Sequence, residues 1–145
     1  MKAIITIILL TFISLTSVQS QIRLGAGIDT NFSGLGLAAK ANMDINDQWG
    51  GQLGFNWYLN NSNPSRLDLD ATYLLTSAGD YDSIILKGIG GFNYWSSGIA
   101  GISSELGNNI GANISFPIAD YNFYIEPRIT IISVGDFFIG AGMYF

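Results

Sequence analysis

The sequence predicts an all-β chain: eight antiparallel strands closed into an up-and-down barrel that spans a membrane. Three observations predict it. Apolar and polar residues alternate with a period of two through nearly the whole chain after residue 21, every charged residue within those strands falls on the polar face, and the connections are short. The composition agrees. Only 12% of the 145 residues are charged, against about 25% in an ordinary soluble domain, while 18 residues are Gly, 9 Phe, 7 Tyr and 3 Trp. No apolar run after the first 20 residues is long enough for a transmembrane helix.

The N-terminus reads as an export signal occupying residues 1–20. Lys2 supplies a positive charge, Ala3 to Leu15 is an apolar run broken only by Thr6, Thr11 and Ser14, and Val18 and Ser20 supply small residues for cleavage. Cleavage after Ser20 is expected, leaving residues 21–145 as one barrel domain of five basic and eleven acidic residues. The point of cleavage carries no Cys, so a lipid anchor there is excluded.

The strands follow in order. Residues 22–29 place Ile22, Leu24, Ala26 and Ile28 against Arg23, Gly25, Gly27 and Asp29. Residues 35–45 set Leu35, Leu37, Ala39, Ala41, Met43 and Ile45 against Gly36, Ala38, Lys40, Asn42 and Asp44. Residues 49–60 set Trp49, Leu53, Phe55, Trp57 and Leu59 against Gln52, Asn56, Tyr58 and Asn60. In residues 66–75, Leu67, Leu69, Ala71, Tyr73 and Leu75 oppose Arg66, Asp68, Asp70, Thr72 and Leu74. Residues 83–94 alternate least cleanly, because Ile85 and Ile89 share a face with Lys87. Residues 105–116 oppose Leu106, Ile110, Ile114 and Phe116 to Glu105, Asn109, Asn113 and Ser115. Residues 121–132 carry Tyr121, Phe123, Ile125, Ile129 and Ile131 on one face and Glu126 and Arg128 on the other; Pro127 calls for a bulge or an end position. The last strand, 136–145, ends the chain with Phe137, Ile139, Ala141, Met143 and Phe145 on one face. Turns are expected at Asn46-Asp47, Ser77 to Asp80 and Pro117 to Asp120, with the other connections at the opposite end.

Which face meets lipid follows from chemistry. Asp47, Asp80, Asp82 and Asp120 sit in or beside turns, and the remaining twelve charges lie on polar faces: Arg23, Asp29, Lys40, Asp44, Arg66, Asp68, Asp70, Lys87, Glu105, Glu126, Arg128 and Asp136. That face is crowded with Gly, Asn, Ser and Thr, which suits a narrow interior better than a solvated surface. On the apolar face Trp49 and Trp57 lie eight residues apart, as do Phe137 and Phe145. In a tilted strand eight residues climb roughly 20 Å, close to the height of a lipid-facing band bounded by aromatic girdles. Trp49, Trp57, Tyr121, Phe137 and Phe145 are therefore the expected girdle, and the twelve charges an expected ion-paired network in the lumen.

No enzymatic function is expected. The chain has neither His nor Cys, which removes Ser-His and Cys-His nucleophiles, thiol chemistry and ordinary zinc sites, and carboxylates held beside Arg stay ionised. No catalytic residue, metal ligand or cofactor is assigned, and a net charge of −5 without a basic cluster speaks against nucleic acid. One connection, Tyr94 to Ala100, offers exposed Tyr94, Trp95 and Ile99, either to bind a partner or lipopolysaccharide or to form one end of the girdle.

With an export signal, alternating strands and a terminal strand of Phe137, Ile139, Ala141, Met143 and Phe145, the chain resembles the small eight-stranded outer-membrane β-barrel proteins of Gram-negative bacteria. The resemblance implies that these five residues are the signal read by the barrel-assembly machinery. It also implies that both chain ends face the periplasm and that the longest surface loop is about Asn93 to Ser104. The reading is then a monomeric integral outer-membrane protein of structural or surface-interaction type, surrounded by outer-membrane lipids, with any surface ligand unidentified. Two alternatives stand beside it: a secreted soluble β-barrel holding a small apolar ligand, and a narrow ion-conducting pore.

Overall fold

A computed structural model describes residues 22–31, 34–60, 62–79, 83–99, 104–131 and 136–145. The expected export signal, Gln21 and the turn residues Asp80 and Asp82 lie outside them. Eight strands run in order: β1 (Ile22–Asn31), β2 (Gly34–Asp44), β3 (Trp49–Tyr58), β4 (Ser65–Ala78), β5 (Ile84–Ser96), β6 (Glu105–Ile118), β7 (Tyr121–Ile131) and β8 (Asp136–Tyr144). Each pairs antiparallel with its neighbour, and β1 closes on β8 from Gly25 opposite Tyr144 to Thr30 opposite Ile139. Closure leaves no unpaired edge, which a strand in hydrocarbon could not tolerate.

The connections divide by length. Where β2 turns into β3, the Asn46 side-chain oxygen accepts hydrogen bonds from the backbone N–H groups of Gln48 (2.9 Å) and Trp49 (2.8 Å), the side chain standing in for a backbone turn. The β6–β7 turn is tighter than the sequence suggests. Its strands reach Ile118 and Tyr121, so Pro117 belongs to β6, and Ala119 takes up a left-handed φ of 52°. At the other end, Asn63 adopts φ 46° in the β3–β4 connection, a conformation Asn tolerates better than most residues. Gly98, φ 71°, lies so close beneath Asn63 that a Cβ would meet the Asn63 carbonyl oxygen at 2.9 Å, which docks the β5–β6 connection on its neighbour.

Three strand details depart from the sequence reading. β4 runs on to Ala78, because a bulge between Leu74 and Thr76 absorbs the break in alternation and keeps Leu75 exposed. Pro127 needs neither bulge nor strand end: β6 and β7 pair in one register from Asn108 to Ile118, and the ladder omits only the pairings opposite Glu126 and Pro127. A missing donor costs a rung there without shifting the strands. Tyr94 and Trp95 belong to β5 rather than to a loop, so the connection begins at residue 97.

The wall is apolar outside and polar within. Among the described residues the buried side chains include sixteen polar or charged residues and six hydrophobic ones, whereas Leu, Ile, Phe and Trp residues of every strand stand exposed. The seam of β1 and β8 is built for close approach. A Cβ on Gly142 would lie 2.6 Å from the Tyr124 hydroxyl, and one on Gly27 would lie 2.7 Å from the Gly142 Cα. Glycine at both positions admits the Tyr124 side chain beneath the seam.

Gly142→Ala is therefore expected to lower the unfolding free energy by about 1–3 kcal/mol through overpacking. Gly90→Ala, whose new methyl meets nothing within 4 Å, should stay within about 0.5 kcal/mol of the parent. Urea titration of the barrel refolded in lipid, read by tryptophan emission, separates the two.

Candidate functional site in the barrel interior

The inward faces of all eight strands converge on one network, and its centre is Asp68 on β4. Arg66 Nε lies 2.9 Å from one Asp68 oxygen and Arg128 Nη1 2.6 Å from the other. The amides of Asn56 (2.8 Å) and Asn109 (3.0 Å) donate to the same carboxylate. Towards the loop end, Arg66 reaches Asp29 at 3.0 Å, and the Tyr58 hydroxyl donates to the second Asp29 oxygen at 3.0 Å. The Arg66 guanidinium lies over the Phe138 ring at 4.2 Å, and Phe138, Tyr58 and Trp95 form a ring cluster above it. Trp95, expected in a surface loop, instead turns into the barrel from the end of β5, because its position shares parity with Asn93 and Lys87. Tyr94 and Ile99 are exposed, Tyr94 on the outer face of β5.

The second centre is Glu126 on β7. Lys40 Nζ lies 2.5 Å from one oxygen of its carboxylate and Arg128 contacts the same oxygen, the Asn113 amide donates to the other at 2.9 Å, and the Gln52 amide donates to both at 3.2 Å. Arg128 thus links both centres. Asn109 bridges sideways, donating to Asp70 at 3.0 Å and accepting from Asn93 and Thr130 at 2.9 Å each. Lys40 Nζ also sits 4.6 Å from the Tyr124 ring centre. At the turn end a third, smaller group is half-exposed: Asp44 pairs with Arg23 at 3.0 Å and with Lys87 through its other oxygen. An eight-stranded barrel is just wide enough for side chains to fill, and these side chains fill it.

Ten of the twelve expected charges meet in these groups. Glu105 and Asp136 do not; each is the first residue of its strand and is exposed, so parity held while depth did not. The neutral partners Gln52, Asn56, Asn93, Asn109, Asn113 and Thr130, and the tyrosines 58, 124 and 144, complete the network without having been singled out. Their signal was available, since all share the parity of the charges. The expected girdle residues Trp49, Trp57, Tyr121, Phe137 and Phe145 are exposed on the outside, and Trp49 stacks edge-on against Tyr73 with ring centres 4.8 Å apart. On β8, Phe137 and Ile139 face outward, and the Phe145 N–H donates to the Leu24 carbonyl at 2.8 Å.

No family model and no curated protein matches the sequence. Solved structures do match. The N-terminal β-barrel domain of OprF from Pseudomonas aeruginosa superposes with a TM-score of 0.69 at 17% identity, covering 88% of this chain and 100% of that one. A transmembrane β-barrel designed de novo gives 0.57 at 13% identity, covering 86% and 94%. The fold is that of a small transmembrane β-barrel. The outer-membrane protein Ail of Yersinia pestis, in a phospholipid bilayer nanodisc, gives 0.55 at 15% identity over 88% of this chain and 100% of that one. At such identities the likeness lies in the barrel fold rather than in particular side chains.

In this transmembrane barrel, removing a buried carboxylate takes counter-charge from cations that stay enclosed: Lys40 and Arg128 at Glu126, and Arg66 and Arg128 at Asp68. Glu126→Gln and Asp68→Asn are each expected to cost about 3–5 kcal/mol. Glu105→Gln and Asp136→Asn should cost less than about 0.5 kcal/mol. Chemical denaturation in lipid vesicles measures all four.

Proposed function

We propose that the protein is an integral outer-membrane β-barrel of structural or surface-interaction type, non-catalytic and closed to ion flow. It is exported by a signal over residues 1–20, acts as a monomer among outer-membrane lipids, and is delivered to the barrel-assembly machinery by Phe137, Ile139, Ala141, Met143 and Phe145. The observation that carries this reading is the filled interior: Arg66, Arg128, Lys40, Asp68 and Glu126 are almost wholly buried and paired across the lumen. A pore would have to part these pairs, each several kcal/mol from being broken. A soluble carrier of an apolar ligand would need the reverse wall, with its apolar face inward. Asp68 and Glu126 are each held by cations and amide donors across the lumen, which supports a structural role over acid–base chemistry.

Membrane fractions from cells producing the full chain test the reading. Recovery in the detergent-extracted outer membrane, with a band that shifts on boiling, is the expected result; a soluble periplasmic product with no shift would overturn it. The purified barrel should give a flat trace in a planar lipid bilayer, and stepwise conductance would favour the pore. Leu53→Arg, on the exposed outer face of β3, should cost about 2–4 kcal/mol in lipid if the residue lies near the bilayer midplane.

A further inference from the structure

The outer wall is not evenly filled. The strand register defines one row of outward-facing residues that crosses the wall: Met43 lies opposite Gly51, Gly51 opposite Ala71, Ala71 opposite Gly90, and Gly90 opposite Ile110. Across β3, β4 and β5 this row therefore carries nothing larger than a methyl group. The neighbouring row on its loop side carries Leu53, Leu69 and Phe92, which stand 49%, 61% and 59% exposed. On its turn side stand Trp49 and Tyr73, packed edge to face. Between these two ridges lies a furrow. A Cβ on Gly90 would meet nothing within 4 Å, and one on Gly51 would meet only the Asp70 carbonyl oxygen, at 4.0 Å. Two cavities mark its course, one of about 180 Å³ against Met43, Gly51 and Leu53 and one of about 380 Å³ against Ala71, Gly90 and Ile110.

The furrow does not run level. Its row begins at Ile22, the first residue of β1 at the turn end, and passes through Ile129 to Phe137, the second residue of β8 at the loop end. With strands about 4.8 Å apart and tilted near 40°, the four steps from Met43 to Ile110 cover roughly 19 Å and climb roughly 12 Å. That climb is most of one leaflet of a hydrocarbon core about 30 Å thick. A lipid chain follows the same path, from the rim of the bilayer to its middle. At the foot of the furrow the β2–β3 turn exposes Asp47, and Asp120 is exposed at the same end. The two cations there, Arg23 and Lys87, are already paired with Asp44. The charge at the foot therefore suits a headgroup that carries an ammonium.

We propose that this furrow is a binding groove for one acyl chain of an amine-bearing phospholipid, the chain lying along Gly51, Ala71 and Gly90 and the ammonium turned toward Asp47. The inference rests on the outer wall meeting lipid and goes further, by naming one place on that wall where a lipid is held. Apolar contact gives no hydrophobic driving force inside a bilayer, so the groove acts through dispersion. A chain between the ridges touches protein on three sides, whereas an empty furrow leaves its lining without partner atoms. A second copy of the chain fits less well as the occupant. The floor spans three strands and one residue pair, roughly 100 Å², against the ~1,200 Å² at which stable protein interfaces begin.

The test uses the full chain extracted from membranes, placed in vesicles of phosphatidylethanolamine and phosphatidylglycerol in equal parts, and released into mild detergent for native mass spectrometry. Expected is a monomer that retains one lipid and prefers phosphatidylethanolamine. Gly90→Leu fills the floor and should cut retention about fivefold or more. Ala39→Leu, an equal enlargement on the outer face of β2 outside the furrow, should leave retention unchanged. Asp47→Asn should keep the lipid but lower the preference for phosphatidylethanolamine about threefold. The gel shift on boiling reports barrel formation separately, so a folded barrel without a retained lipid counts against the groove alone. Gly51→Leu takes the place of Gly90→Leu if the latter gives no shift. The proposal is overturned by a parent that retains no lipid, by unchanged retention in Gly90→Leu, by an equal loss in Ala39→Leu, by an unaltered preference in Asp47→Asn, or by a dimer that Gly90→Leu breaks.

Discussion

A buried charge needs an opposite charge, and in this barrel the need is met chiefly through Arg128. Its guanidinium contacts Asp68 on one side and Glu126 on the other, joining the group built on β4 to the group built on β7. Because β4 and β7 are not neighbours in the wall, the contact works across the lumen and braces the cylinder from inside. Hydrophobic burial cannot do that work. The apolar side chains face outward, where in lipid they hold the wall in the membrane without drawing its strands together.

The interior pairs also set the shape of the wall. Rings and guanidiniums of this size fit only where the facing strand offers little bulk. Gly36 lies opposite Tyr58 in the β2–β3 ladder and Gly25 lies opposite Tyr144 in the β1–β8 ladder, each under the ring of its partner. The rings are held at their far ends by Asp29, Asn42 and Asn113, so the same side chain that covers a glycine also enters the polar network. Packing and charge pairing are thus one arrangement rather than two.

The sequence made the wall legible because a strand exposes its two faces at alternate residues, and a barrel keeps that distinction through every strand. Parity marks the strands and gathers their charges on one face, the short connections order them, and the Gly, Asn, Ser and Thr crowding that face turn it inward. Parity says which face a residue joins and nothing about how deep it sits, which is why Glu105 and Asp136 were assigned to the lumen although each opens its strand in solvent. Trp95 shows the complementary limit: a Trp beside Ser96, Ser97 and Gly98 has the composition of a loop, yet its parity places it among the interior rings. Which amide serves which carboxylate was not legible, because the pairs join residues far apart in the chain, as Gln52 with Glu126 or Asn42 with Tyr144, and depend on the stagger of the strands. The likeness to OprF and to a designed barrel at 17% and 13% identity is a likeness of fold, shared where most individual residues are not.

The seam between β1 and β8 joins the two ends of the described chain. Every other seam links strands adjacent in sequence and can form as a local hairpin, at small entropic expense. This one must bring together residues more than a hundred positions apart, and it cannot begin until the last strand exists. Until then the first and last strands each keep an open row of backbone donors and acceptors, which hydrocarbon does not satisfy. Insertion and closure are therefore bound in time: the final step of folding is also the step that makes the molecule compatible with a bilayer, and the small residues along that seam are what let two late-meeting strands come close enough to take it.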